Sequence, residues 1–369
     1  MYSIYYFTMT KGKNDFMQLK LRKHILDLPV FFPDATHAVI RGMSPDDLIG
    51  TNTQGLVVNT FHFLVDGIID VVEKSGGVSS FMNVNLPVIS DSGGFQAMSL
   101  VRRGNNGGKL TDNGVVFKNF KNGSYLELTP ENCIETQLKI GSDILMCLDD
   151  CTDPHENIIE QEKSIERTIK WAKRCRARFD ELTGTMEKAK PLLFAIIQGG
   201  NHQELRKQCA DELIKLNFDG YAYGGWPMFE GTFMEDILRF TAYLMPDDKP
   251  KYAMGVGKPE DVRKGIDMGY NMFDCVLPTR DARHGRLYVW KDAKNGTQME
   301  YEFLAIGSGQ NKHDLRPVSD ECRCITCQKY TRAYLHHLFK ISEPSYYRLA
   351  TIHNLFFYAD YMNHISLGD

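Results

Sequence analysis

Residues 192–198 read Leu-Leu-Phe-Ala-Ile-Ile-Gln and run straight into Gly199-Gly200. Six apolar residues in succession leave no polar face for water. A strand here must therefore be covered on both sides, as in a parallel sheet flanked by helices. Seven more short runs have the same character. Four precede it: Pro29–Pro33, Gly55–Phe61, Pro87–Asp91 and Asp143–Asp149. Three follow it: Gly220–Gly224, Tyr252–Val256 and Met272–Val276. Helical patterns lie between several of them, over Pro130–Ile140, Asn157–Leu182, His202–Leu216, Glu230–Leu244 and Pro259–Met268. Thr129 before Pro130 is a good N-cap, and Pro259, Glu260 and Asp261 make a favourable first turn. Eight strands alternating with helices predict an α/β fold, a (β/α)8 TIM barrel, with an open doubly wound sheet as the alternative.

The rhythm stops at Arg286. Leu287–Trp290 and Met299–Leu304 read as a hairpin around Asn295–Gly296, followed by a cysteine cluster and helices over Lys329–Phe339 and Tyr346–Met362. This divides the chain into a catalytic barrel with an N-terminal extension, residues 1–285, and a small C-terminal zinc-binding subdomain with helices, residues 286–369, packed on the barrel.

The chain has 369 residues, 43% hydrophobic and 24% charged, which excludes a disordered, collagen-like or coiled-coil protein. No apolar run approaches the roughly 18 residues of a membrane span. The start, MYSIYYFTMTKGKNDF, lacks the features of a secretory signal, so a cytoplasmic location is expected. The net charge of −4 argues against a protein that coats nucleic acid indiscriminately. From Thr279 to Lys340, however, 11 Lys and Arg face 7 Asp and Glu, leaving −8 for the remainder. That locally basic stretch reads equally as a phosphate-contacting face or an ordinary solvated surface.

In such a barrel the chemistry sits at the C-terminal ends of the strands. Polar residues gather there: Asp91-Ser92-Gly93-Gly94-Phe95-Gln96, Asp149-Asp150, Gln198-Gly199-Gly200, Gly224-Gly225, Met254-Gly255-Val256-Gly257, and Asp274 followed by Pro278-Thr279-Arg280 and Arg283. A single aspartate at a strand end is usually a helix cap or a solvated acid. Several around one mouth suit substitution at a sugar carbon, where one carboxylate attacks or stabilises an oxocarbenium-like centre and another handles the leaving group's proton. The glycines allow a flat ligand close to the backbone.

Of nine cysteines, six are scattered and read as reduced thiols. The other three form Cys322-x-Cys324-x-x-Cys327, the spacing of a tetrahedral zinc site that needs one more ligand. Four protein ligands close the shell, so such a zinc would be structural. Spacing leaves the fourth ligand open among His336, His337 and His353.

SDSGGFQ at Ser90–Gln96, IIQGG at Ile196–Gly200, MGVGKPED at Met254–Asp261 and FDCVLPTRDARHG at Phe273–Gly285 resemble the tRNA-guanine transglycosylases. So does the cysteine motif with a histidine 26 residues beyond Cys327, at His353. The resemblance runs from about residue 28 to residue 360. It implies exchange of the wobble guanine of GUN-anticodon tRNAs for a 7-deazaguanine base, either 7-aminomethyl-7-deazaguanine or queuine, on a homodimeric (β/α)8 enzyme with structural zinc. It makes Asp274 the nucleophile on ribose C1′ and Asp91 the general acid and base. Ser92, Asp149, Gln198, Gly224 and Gly225 become the base-reading residues, and Phe95 and Met254 the flat walls. Arg280 and Arg283 are to hold the anticodon loop, and Cys322, Cys324, Cys327 and His353 the zinc.

One segment departs from the pattern. After Gly224-Gly225 the family carries small residues and then an acid, where this chain has Trp226-Pro227-Met228-Phe229-Glu230. The stretch Val101–Lys118 reads as a polar, glycine-rich lid. Two readings compete with the transglycosylase: a non-catalytic, RNA-binding barrel subunit, which predicts loss of the acids, and a deazaguanine transglycosylase acting on DNA. A plain glycoside hydrolase leaves the cysteine motif unexplained.

Overall fold

The computed structural model describes residues 17–102, 108–186, 190–291 and 300–367. All eight predicted runs are strands of one parallel sheet: β1 Val30–Pro33, β2 Leu56–Asn59, β3 Val88–Asp91, β4 Ile144–Met146, β5 Leu192–Ile197, β6 Gly220–Tyr223, β7 Lys251–Ala253 and β8 Met272–Cys275. The order around the sheet is β1-β8-β7-β6-β5-β4-β3-β2. A parallel bridge from Asp34 to Val57 then brings the two edges together. This near-closed ring rules out the open doubly wound alternative.

Alternation along β5 shows why the run is wholly apolar. Leu192, Phe194 and Ile196 point into the barrel with Phe32, Val57, Ile89, Ile144, Met146, Tyr252 and Met272. Leu193, Ala195 and Ile197 point outward into the helix layer with Trp171, Cys175, Phe179, Leu205 and Leu238. The floor of the barrel is plugged by a hairpin, Met17–Lys20 paired with Ile25–Leu28, whose Leu19, Leu21, Leu26 and Leu28 join the inner cluster.

The helices sit close to expectation. Pro130–Ile140 is capped by the Thr129 side chain, and Ile158–Thr183 by Asn157. Two differ. The helix read from Glu230 starts at Glu235, because Glu230 and Gly231 both adopt positive φ in a tight turn between the short strands Met228–Phe229 and Thr232–Phe233. The helix read over Lys329–Phe339 is two, Ile325–Lys329 and Arg332–Lys340, interrupted by an extended Tyr330 and re-capped by Thr331.

Beyond the barrel, Arg286–Trp290 pairs with Tyr301–Ala305 in an antiparallel ribbon. Its Asn295–Gly296 turn lies outside the described residues, as do the N-terminal 16 residues and positions 103–107 within the predicted lid. The final helix, Pro344–Leu367, packs on β1, on the turn of helix at Pro45–Thr51 and on the helix Leu277–Arg283 that follows β8. Cys324, Cys327, Leu335, Leu349 and Ile352 share one apolar cluster with Leu56, Val58, Phe63 and Val88 from the barrel side.

Candidate functional site

The strand ends build one pocket of about 360 Å³ at the mouth of the barrel. Asp91, Ser92, Phe95, Asp149, Gln198, Gly224, Gly225, Met254 and Asp274 all line it, so every residue expected to react with or read the base faces one cavity. Arg280 and Arg283 lie outside this lining, on the helix Leu277–Arg283, with Arg280 exposed and Arg283 half-buried near Arg41.

Asp91 ends β3 directly opposite Asn59, the last residue of β2. Asn59 Nδ2 donates to Asp91 Oδ2 at 3.4 Å, and the Thr60 hydroxyl donates to the Asp91 carbonyl at 2.6 Å. Gly93 allows the next turn: at φ +81° an added Cβ would stand 2.6 Å from the Phe61 nitrogen. Burial pushes the Asp91 carboxyl well above the usual range, reinforced by the nearby charges of Asp274 and Asp34. Asp274 lies on β8 opposite Phe32. Its Oδ1 accepts from the Gly255 backbone N–H at 2.9 Å, and burial lifts it to about 6 against that stabilising bond. Burial thus raises both members of the pair, and their charges oppose each other, the pattern by which two carboxyls in one site come to hold their protons differently.

Asp149 is pushed to about 6 by burial. Gln198 Nε2 donates to its Oδ2 at 2.6 Å, and the Ser92 hydroxyl sits 3.4 Å from its Oδ1. Three polar groups from three strands thus meet on one patch of wall, a set of donors and acceptors suited to a heterocycle's edge. A Cβ at Gly224 would lie 2.4 Å from Gln198 Nε2, so only glycine leaves that amide its place. Asp150, the neighbour of Asp149 in sequence, is fully buried and turns the other way to meet the partly exposed Arg102 and Arg167. It holds the loop and does not reach the pocket lining.

The departing segment enters the pocket wall. Trp226, Pro227 and Met228 line it, and the Trp226 ring meets Phe95 edge-on with centroids 5.6 Å apart. Trp226 Nε1 donates to the Thr152 carbonyl at 3.3 Å. Behind this pair lies a second, polar cavity of about 420 Å³, lined by Ser99, Arg102, Asp153 and His155 and sharing Phe95, Cys151 and Trp226 with the first. Glu230, the acid kept at the end of that segment, is exposed on its turn and is not part of the lining.

Sequence reasoning missed several contributors. Asn59, Tyr223, Ile196 and the Gly255 amide were given no role, although Ile196 and Gly255 lie within quoted motifs. Asp34 follows the first strand, where strand-end placement alone could have flagged it.

The second constellation is far from the first along the chain. Cys322, Cys324, Cys327 and His353 bring their ligand atoms within 4.8 Å of one another. His353 Nδ1 stands 3.7, 3.6 and 3.3 Å from the three sulfurs. A tetrahedral zinc with ordinary Zn–S and Zn–N bonds separates its ligands by about 3.5 Å, so the donor set and spacing fit. The other ring nitrogen, Nε2, is 2.7 Å from the Tyr288 carbonyl, which fixes the tautomer with Nδ1 as the electron-pair donor. His336 is used elsewhere, with Nδ1 2.8 Å from the Ile306 carbonyl, and His337 is exposed.

Much of the basic stretch is already paired. Arg316 and Arg332 converge on Asp314, Lys291 meets Glu300, and Arg286 lies over Phe303. Among the described residues no helix is long and apolar enough to cross a membrane.

A family model described as queuine tRNA-ribosyltransferase matches residues 16–366. Similar proteins carry the same description. One from Mannheimia succiniciproducens is 43% identical over 338 residues, covering 91% of this chain and 84% of the relative. One from Actinobacillus pleuropneumoniae serotype 3 is 41% identical over 344 residues, covering 93% and 85%. One from Haemophilus influenzae is 41% identical over 343 residues, covering 92% and 84%.

Proposed function

The chain belongs to the queuine tRNA-ribosyltransferase family, and from that premise we propose that it exchanges the wobble guanine of GUN-anticodon tRNAs for a 7-deazaguanine by two displacements at ribose C1′. As a member it is a tRNA-guanine ribosyltransferase, a pentosyltransferase. The observation that carries the mechanism is the pair Asp91 and Asp274 on one cavity, both raised by burial.

In the first step a carboxylate oxygen of Asp274 attacks C1′ and the C1′–N9 bond breaks. The electron pair leaves with guanine, and protonated Asp91 supplies its proton. The incoming base then loses its N9 proton to Asp91 and attacks C1′. The C1′–O bond to Asp274 breaks and the carboxylate is restored. Two inversions retain the sugar's configuration. Ser92, Asp149, Gln198 and the Gly224-Gly225 backbone read the base edge, and Phe95 and Met254 cover its faces, as expected for an extruded base. Arg280 and Arg283 meet phosphates of the anticodon loop. Cys322, Cys324, Cys327 and His353 would hold a zinc ion, which with four protein ligands would supply a structural cross-link.

The first cavity suits the 7-aminomethyl base. The second cavity behind Phe95 and Trp226 favours a larger incoming base, because its polar lining matches a cyclopentenediol such as queuine carries. Loading a GUN tRNA with radiolabelled guanine and chasing with each base tests the whole reading. Release of label by either base supports it and assigns the base. Failure to incorporate guanine, with folded, metal-loaded protein, favours the non-catalytic subunit or a DNA substrate. The cytoplasmic location and the homodimer belong to the same proposal, the latter checked by mass in solution.

A further inference from the structure

The base pocket is lopsided. Its lining is drawn from the ends of β3 through β8, and among the described residues neither β1 nor β2 contributes to it. The two reactive carboxylates stand at the borders of that gap. Asp91 is on β3, which pairs with β2, and Asp274 is on β8, which pairs with β1. A base seated in the cavity places its glycosidic carbon between them, so the attached sugar must leave over the β1–β2 edge.

Asp34 occupies that edge. It is the first residue after β1, fixed by its bridge to Val57 of β2, and it is only partly buried. Its charge is felt by Asp91, Asp274 and Arg283. Its Oδ1 accepts from the Thr36 backbone N–H at 3.1 Å and from the Thr36 hydroxyl. Both bonds use one oxygen, which leaves Oδ2 for a ligand. A third carboxylate beside two reactive ones is unfavourable unless a donor meets it. Within an RNA strand the 3′ and 5′ oxygens are tied up in phosphodiesters, so the 2′-hydroxyl is the one donor a ribose offers.

We propose that Asp34 accepts a hydrogen bond from the 2′-hydroxyl of the nucleotide whose base fills the pocket, positioning C1′ against Asp274 and selecting ribose over deoxyribose. This rests on the exchange reading above.

The test compares two anticodon stem-loops that differ only in a 2′-deoxyguanosine at the exchanged position, with guanine exchange measured on full-length protein. Wild type is expected to favour the ribose substrate in kcat/KM by about tenfold or more, the weight of one hydrogen bond to a charged group. Asp34→Ala is expected to lose about that factor on the ribose substrate and under about twofold on the deoxy substrate, collapsing the ratio. Asp34→Asn, which keeps an acceptor, is expected to restore part of it. A folding defect from losing the Thr36 contacts lowers both rates alike and leaves the ratio intact. Equal losses on both substrates would overturn the inference, placing Asp34 behind Arg283 or in the turn alone. So would a wild type that does not distinguish the sugars. Wild-type inactivity on both would overturn the exchange reading itself, and this inference with it.

Discussion

The barrel mouth and the Cys3His cluster bury polar groups to opposite ends. At the mouth, Asp91, Asp149 and Asp274 are each lifted in pKa by burial, and three carboxylates in one cavity oppose one another. At the cluster, four donors converge at metal-ligand spacing, and the histidine is steered from behind by the Tyr288 carbonyl. One region holds its residues in states that cost stability and suit reaction. The other arranges its residues so that binding an ion adds stability. The lesson is that burial of ionisable groups has no fixed sign for the fold, and only the partners decide.

Removing one group from each region should break the symmetry between activity and stability. Asp274→Asn is expected to lower exchange by about 10⁴-fold or more and to eliminate the covalent RNA adduct on denaturing gels. The same change should stabilise the protein. Burial lifts Asp274 to about 6, above the roughly 4 of a free aspartate. Its favourable contribution is therefore present below about pH 4 and lost as pH rises through about 6. Denaturant melts should show the variant more stable by up to about 3 kcal/mol at pH 8 and not at pH 4. An equally unstable variant at pH 8 would mean that Asp274 is not strained by burial.

Cys324→Ser is expected to do the reverse. Metal stoichiometry should fall and the melting temperature drop by roughly 10 °C, while the variant that stays folded exchanges at near wild-type rate. Unchanged melting with full metal content would put the ligands elsewhere. A milder probe is pH itself: kcat/KM should fall about tenfold per unit below pH 6, as Asp274 takes a proton. A flat profile down to pH 5 would remove the poised pair. Smallest of all, Arg283→Ala should weaken tRNA binding several-fold and leave free-base binding unchanged. Equal losses would bring Arg283 into the base pocket.

Much of the barrel was legible because its strands carry apolar residues on both faces. Leu192–Ile197 admits few other readings once seven similar runs surround it. Short elements were not legible. Residues 228–233 form two-residue strands whose turn depends on Glu230 and Gly231 at positive φ, which no periodicity can display. The site was readable as strand-end polarity, yet sequence could not separate Asp149, which faces the cavity, from Asp150, which is drawn away by Arg102 and Arg167. Backbone donors such as the Gly255 N–H leave no mark in a sequence at all. Nor could spacing choose His353 over His336, because tertiary packing brings the final helix to the cysteines and ties His336 to the Ile306 carbonyl.

The pairing of β8 with β1 has a temporal side. Asp274 is held opposite Phe32, a partner 242 positions earlier in the chain, the longest separation of any neighbouring pair in the ring. Closing so large a loop is among the slowest and most entropically demanding events available to a chain. During synthesis the edge of the first strand that faces β8 must wait until residues 272–275 have emerged, and the final helix that carries His353 then packs on β1 and on the helix after β8. Asp274, the residue proposed to attack C1′, is thus among the last groups to find its neighbours, and a ribosome-bound fragment ending before β8 lacks it altogether.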